Sequence, residues 1–354
     1  MTSLTSYGWN THFEQHFHTY QAQGLDAGRV TAIEGFRHKL VTASGPVDAM
    51  LSGALMNGAE NWDLPKVGDW VAFKAYDNEG IIISVLTRIN ELSRKLPGRT
   101  TEKQVIATNI DTAFIVQGLD RDFNPMRLQR YIVQILQCNI RPVVLLNKQD
   151  LVPDPESYRQ EVTALGYDCP VLLLSATGNE GLQEWAAGHL LPGQTCVLIG
   201  SSGVGKSTLV NALLGYRFQD EGAVSSFNNK GKHTTVSRNL VTLPSGAMLI
   251  DSPGMREFGV TLEADNQGLN YHPLLAALSA ECRFHDCTHR HEPGCAVVAA
   301  VREGELPREV YESYLKISRE QAHYQTDSVE RKRAERQFGK MAKQVVQHRK
   351  QRKY

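Results

Sequence analysis

The octapeptide Gly200-Ser201-Ser202-Gly203-Val204-Gly205-Lys206-Ser207 matches the phosphate-loop pattern G-x-x-x-x-G-K-[ST] at every fixed position. Its flanks agree with the motif. Cys196-Val197-Leu198-Ile199 is a short apolar run suited to a buried strand. Thr208 to Leu214 reads as the opening of a helix, with Leu209, Leu213 and Leu214 on one face. Strand, glycine loop and helix is the order needed to hold a polyphosphate. Glycines allow the tight loop, and its N–H groups and the positive helix end then face the anion. The spacing predicts that Ser202, Gly203, Val204, Gly205, Lys206, Ser207 and Thr208 line the phosphates. Lys206 reaches the outer phosphates and the Ser207 hydroxyl holds Mg²⁺.

Working outward, the chain of 354 residues is long enough for two or three domains. Its 38 basic and 38 acidic residues balance, so bulk charge points to no polyanionic partner. No stretch reads as a signal peptide or a membrane span, and a cytoplasmic protein without membrane contact is expected. Before the phosphate loop, Ile110–Val116, Pro142–Leu146 and Val171–Leu174 are apolar strand candidates alternating with amphipathic stretches such as Met126–Cys138 and Glu156–Leu165. That alternation predicts a parallel sheet covered by helices on both faces. Cys138, Cys169 and Cys196 read as ordinary core residues.

Earlier still, Arg29–Ile33, Lys39–Ala43, Ala49–Leu55, Gly68–Phe73 and Gly80–Leu86 are short strand candidates, which suits a small OB-like β-barrel. Ser93–Thr101 is polar, basic and turn-rich and reads as a linker. In the N-terminal arm Trp9, Phe13, Phe17 and Tyr20 lie at helical spacing, so an amphipathic helix outweighs a metal site at His12, His16 and His18. The organisation expected is an arm and barrel over 1–97, an α/β P-loop domain over 98–271, and a third domain over 272–354.

Asn147-Lys148-Gln149-Asp150 follows a predicted strand and fits N-K-x-D. An aspartate there accepts from the two guanine N–H donors that adenine does not present together, and the asparagine is suited to the other edge of the base. Ser175-Ala176, at another strand end, fits a loop offering a backbone N–H to the guanine carbonyl. Asp251-Ser252-Pro253-Gly254 fits D-x-x-G, where Asp251 orients Mg²⁺ through water and the Gly254 N–H meets the terminal phosphate. Thr234 and Thr235 lie on the polar stretch Ser225–Val236 between these motifs, as a switch threonine requires. The order is unusual, because the base-reading motifs precede the phosphate loop. The domain is therefore a circular permutation, feasible where the original termini lie close together. Met255 follows D-x-x-G where Ras-type enzymes carry a water-orienting glutamine. His233 is the candidate for that catalytic work, with packing inside the switch loop as the other reading.

Cys282-x₄-Cys287-x-His289-x₅-Cys295 supplies three thiolates and an imidazole, a donor set for one structural Zn²⁺. His285 and His291 are alternatives to His289 at this stage. From Lys316 onward basic residues outnumber acids, which favours RNA phosphates over a merely solvated helix.

Taken together, these motifs resemble the RsgA (YjeQ) family of circularly permuted GTPases that depend on the small ribosomal subunit. The resemblance spans the barrel, Asn147–Asp150, the phosphate loop, Gly231–Thr235, Asp251–Gly254 and the Cys/His module. It implies GTP hydrolysis to GDP and phosphate, stimulated by that subunit and serving its late maturation. It implies rRNA contacts from the barrel and zinc module, and it carries the zinc ligands onto Cys282, Cys287, His289 and Cys295. Met255 agrees with the family's lack of the usual glutamine. A monomer is expected. The rival readings are a permuted GTPase of large-subunit assembly and an RNA-binding adaptor that uses nucleotide only as a lock.

Overall fold

The strand Thr112–Gly118 (β8 of thirteen, in chain order, among the described residues) shows how the central domain is built. Every residue along it is buried, and they divide by parity. Ala113 and Ile115 face one core, Phe114 and Val116 the other. A strand covered on both faces reads as a continuous apolar run for this reason. The same division holds in Arg141–Asn147 (β9), where Val144 and Leu146 oppose Val143 and Leu145. It recurs in Thr195–Ile199 (β11), where Val197 and Ile199 oppose Cys196 and Leu198.

This computed structural model describes residues 3–95 except 61 and 78, 103–215, 239–251, and 272–318 except 309, 313, 316 and 317. The chain divides into two compact units, Met1–Val260 and Thr261–Tyr354.

In the first unit, β8, β9 and β11 form a parallel sheet with Val171–Leu173 (β10) and Met248–Asp251 (β13), in the order β10-β9-β8-β11-β13. Asn239–Thr242 (β12) adds an antiparallel edge beside β13. Helices Pro125–Gln137 (α3) and Pro155–Thr163 (α4) pack on one face through Leu128, Ile132, Ile135 and Val162. Leu182–His189 (α5) and Lys206–Leu214 (α6) cover the other through Trp185, Leu209 and Val210. Asn124 and Asp154 cap α3 and α4, each helix having proline in its first turn.

The barrel comprises Asp26–Glu34 (β1), Arg37–Thr42 (β2), Gly45–Leu51 (β3), Trp70–Tyr76 (β4) and Glu79–Val85 (β5). Pairing runs β1-β2-β3-β5-β4 and closes from β4 back to β1. Val30, Leu40, Ala49, Val71, Phe73 and Ile82 fill its interior. The helix Thr11–Gln21 (α1) is capped by Asn10 and buries Phe13 and Phe17 against Trp70 and Ala72, as its aromatic spacing predicts. Residues Gly53–Gly58, at the end of the third expected strand, form a short helix (α2), because the Ser52 hydroxyl accepts from the Leu55 N–H and starts a turn there.

Of the segment read as a linker, Ser93–Lys95 belong to a strand, and 96–101 lie outside the described residues. Glu91–Lys95 (β6) pairs antiparallel with Lys103–Thr108 (β7), and Leu92, Ile106 and Ala107 join the main core. In sequence, the basic and turn-forming residues between these two strands mask the apolar ones within them.

Barrel and sheet are continuous, since β1 meets β12 at Ala32 opposite Asn239. Beneath this joint lies Arg29, 1% exposed. Its guanidinium donates to the Thr195 hydroxyl at 2.8 Å, to the carbonyls of Tyr7, Gly68 and Asn109, and toward the Met248 sulfur. Burial pushes its pKa down to about 10, opposed by the charges of Asp111 and Asp69.

In the second unit, Pro273–Ala280 (α7) and Ala296–Glu303 (α8) pack around Leu275, Val297, Ala300 and Leu306. No described helix is long and apolar enough to cross a membrane.

Candidate functional site

The described loops at the carboxyl edge of the parallel sheet carry most of the sequence-predicted residues, the place where open α/β sheets bind ligands. β11 passes into Gly200, and Gly203 and Gly205 follow with φ of +82° and +98°. Gly205 has a second constraint: a Cβ there would lie 2.2 Å from the Asn147 side-chain nitrogen. Only glycine lets the loop approach the base-reading strand so closely. α6 starts at Lys206, so the N–H groups of its first turn face the loop. Lys206 Nζ donates to the carbonyls of Gly200 and Ser201 at 2.7 and 2.6 Å. Ser202 and Gly203 are exposed, Val204 is buried, and Ser207 and Thr208 are partly open at the helix start.

Asn147 is 1% exposed and turns both ends of its amide inward. Its Nδ2 donates to the Val204 carbonyl at 2.8 Å, and its Oδ1 accepts from the Ala176 N–H at 3.0 Å. This side chain also ties the phosphate loop to the Ser175-Ala176 loop. Ser175 is buried and accepts from the Gly178 N–H at 3.0 Å, forming the turn that presents Ala176. Lys148 has a left-handed backbone, φ +67°, and Asp150 stands exposed in the helical turn after it. Asp251 ends β13. His233, Thr234, Thr235, Gly254 and Met255 lie outside the described residues, as does most of the basic tail.

A further loop enters the site that sequence reading did not single out. After β8, Asp120 and Asp122 emerge at the same sheet edge. Lys148 Nζ donates to Asp120 at 2.6 Å. Desolvation opposes the Asp120 charge, but this bond and backbone N–H donors outweigh it and hold the carboxyl below its ordinary range. Ser201 Oγ donates to Asp122 Oδ2 at 2.8 Å. Arg127, from α3, grips the same carboxylate at 3.0 and 2.8 Å. The available signal was two carboxylates just past a strand whose neighbours end in motifs.

In the second unit the ligand atoms of Cys282, Cys287, His289 and Cys295 all lie within 4.8 Å of one another. Tetrahedral zinc with ordinary bond lengths places two sulfurs about 3.8 Å apart and sulfur and nitrogen about 3.5 Å apart. The Cys282 and Cys295 sulfurs are 3.9 Å apart, and each lies 3.5 Å from His289 Nδ1. His289 Nε2 faces the Ser279 hydroxyl at 3.4 Å, a partner that fixes the ring. The Val298 N–H, in the first turn of α8, donates to Cys295 Sγ at 3.4 Å, favouring a thiolate. His285 and His291 are exposed and stand outside the cluster.

A protein of Opitutus terrae, described as small ribosomal subunit biogenesis GTPase RsgA, is 42% identical over 91% of this chain and 90% of its own. The model of the family described as RsgA GTPase matches residues 85–261. The chain belongs to the RsgA GTPase family. A second RsgA, from Syntrophotalea carbinolica, is 40% identical over 89% of the chain and 88% of its own. Among solved structures, YjeQ from Thermotoga maritima aligns with a TM-score of 0.64 at 23% identity, covering 84% of this chain and 99% of its own. YloQ, described as a circularly permuted GTPase, aligns at 0.63 and 24%, covering 85% and 96%. These two likenesses bear on the fold, which is the permuted RsgA arrangement. A model described as ABC transporter matches residues 186–350, a span that contains the phosphate loop shared by many nucleotide-binding families.

Proposed function

We propose that this protein hydrolyses GTP to GDP and phosphate, that the small ribosomal subunit stimulates it, and that it serves late maturation of that subunit. The observation that carries the nucleotide reading is the Asn147 bridge, which joins the phosphate loop to the base-binding loop in one wall. In this reading Asp150 selects guanine, the Ala176 N–H meets the base carbonyl, and the loop amides with Lys206 hold the phosphates. Mg²⁺ would be held by the Ser207 hydroxyl and oriented through water by Asp251, and when bound it neutralises charge developing between the outer phosphates. Thr234, Thr235 and Gly254 complete the closure over GTP. His233 orients the attacking water, a task Met255 cannot do.

The parts act as 1–97, an RNA-contacting barrel; 98–271, the GTPase; and 272–354, a zinc module with a basic extension. One Zn²⁺ holds the second unit together. The partner is the small subunit and its rRNA, and the protein works as a cytoplasmic monomer away from membranes.

Multiple-turnover hydrolysis with and without small subunits tests this. Expected are a slow basal rate, a rise on adding subunits, and competition by GDP but not ATP. Subunit binding should weaken steeply with salt, as phosphate contacts do. His233→Ala should remove most of the stimulated rate and spare GTP affinity. Equal competition by ATP, or a rate indifferent to subunits, would refute the reading.

A further inference from the structure

We propose that Asp122 is a positioning residue of the nucleotide site, holding the phosphate loop in its binding shape through Ser201. The inference rests on the phosphate-loop reading above and concerns a turn to which no role has been given.

The geometry forms a chain from rigid elements to the loop. Gln117, 1% exposed in β8, donates to the Asp122 carbonyl at 2.9 Å. Arg127 of α3 donates to Gln117 Oε1 at 3.3 Å, to both Asp122 carboxylate oxygens, and to the Asp122 carbonyl. The carboxylate, fixed from strand and helix, then accepts from Ser201 Oγ. Ser201 is therefore held at two points, its side chain by Asp122 and its carbonyl by Lys206. When a polyphosphate arrives, Lys206 must exchange the Gly200 and Ser201 carbonyls for phosphate oxygens. The Asp122 bond is then the tether that keeps the first turn of the loop from following its lysine. A loop kept in shape pays less ordering entropy on binding.

Charge is consistent with this role. A bare carboxylate beside a phosphate site repels its ligand, but the Arg127 fork compensates Asp122. The pair is also a poor candidate for a fold stabiliser. Its side chains are 27% and 45% exposed, and pairs that open to solvent contribute little to stability.

The test is a double-mutant cycle on Ser201→Ala and Asp122→Ala in the full chain, read as the release rate of fluorescent GDP at high salt. High salt screens the Arg127 charge that Asp122→Ala frees. Each single variant should release GDP about fivefold faster, as loss of one hydrogen bond implies, and the double variant no faster than either. Asp122→Asn, which keeps an acceptor for Ser201, should restore most of the wild-type rate, and the nucleotide-free melting temperature should stay unchanged. Wild-type release rates in the single variants, or fully additive effects, would overturn the proposal. So would a drop in nucleotide-free stability that accounts for the faster release. If the wild type binds no GDP, the phosphate-loop reading itself fails, an outcome distinct from the others.

Discussion

Asn147 Nδ2 and the Val204 carbonyl, 57 residues apart in sequence, meet at 2.8 Å in a buried contact. The base-reading strand thereby holds the phosphate loop even before nucleotide enters. Asn147→Asp replaces the donor with an oxygen facing an oxygen, at a site only 1% exposed. The variant should lose about 2–3 kcal/mol of stability and most nucleotide affinity. Chemical denaturation and nucleotide titration check this. A variant that keeps its stability would show that the contact is dispensable.

The Lys148–Asp120 pair should give a pH signature. The native Asp120 carboxyl titrates below its ordinary range. Its contribution is therefore fully present above the ordinary carboxylate pKa of about 4, and is lost as pH falls through the lowered native value. The stability gap between wild type and Asp120→Asn should be flat from neutral pH to about 5 and close below about 4. Solvent screening keeps it under about 1 kcal/mol. A gap that widens on acidification would contradict this pairing.

Much of this architecture was legible because its signals are local. A phosphate loop, N-K-x-D and D-x-x-G are short strings, and strands buried on both faces announce themselves as apolar runs. What escaped depends on distant partners. The bonds from Asn147 to Val204 and Ala176 were not foreseen, because nothing nearby in sequence shows which residues meet the two ends of its amide. Ser93–Thr101 read as a linker because its charge and glycine outweigh, in sequence, the flanking apolar Leu92 and Val105–Ala107 that join the core. Arg29 looked like any polar residue of a barrel strand, and its burial exists only once Thr195 and Met248 fold against it. The roles expected of His233, Thr234, Thr235 and Gly254 fall outside the described residues and stay with the experiments above.

Zinc should be measurable directly. Elemental analysis should return about one zinc per chain, matching one four-ligand site. Cys287→Ser should loosen residues around α7 and α8, read by limited proteolysis, while GDP affinity holds. Metal-free protein with the same protease resistance would refute the assignment.

Arg29 should be costly to shorten. Arg29→Ala takes their guanidinium donor from the Thr195 hydroxyl and the Tyr7 and Asn109 carbonyls, leaves Gly68 only the Asn109 side-chain amide, and should destabilise the protein by about 3–5 kcal/mol. Arg29→Met, apolar and of similar length, should cost less. Urea midpoints decide, and a loss under about 1 kcal/mol for the alanine variant would mean that the buried charge contributes little.

The joint at Arg29 also sets a timetable for synthesis. The barrel leaves the ribosome early, yet its arginine meets Thr195 and Met248 only 166 and 219 residues further on. At elongation rates of about 5–20 residues per second, the barrel waits roughly ten seconds or more for those two partners of its guanidinium. The nascent barrel is thus a half-finished surface, and a chain cut short before β11 leaves it so. The permuted order means that β12 and β13, the last strands made among the described residues, are the ones that complete both the nucleotide edge and the seat of the first domain.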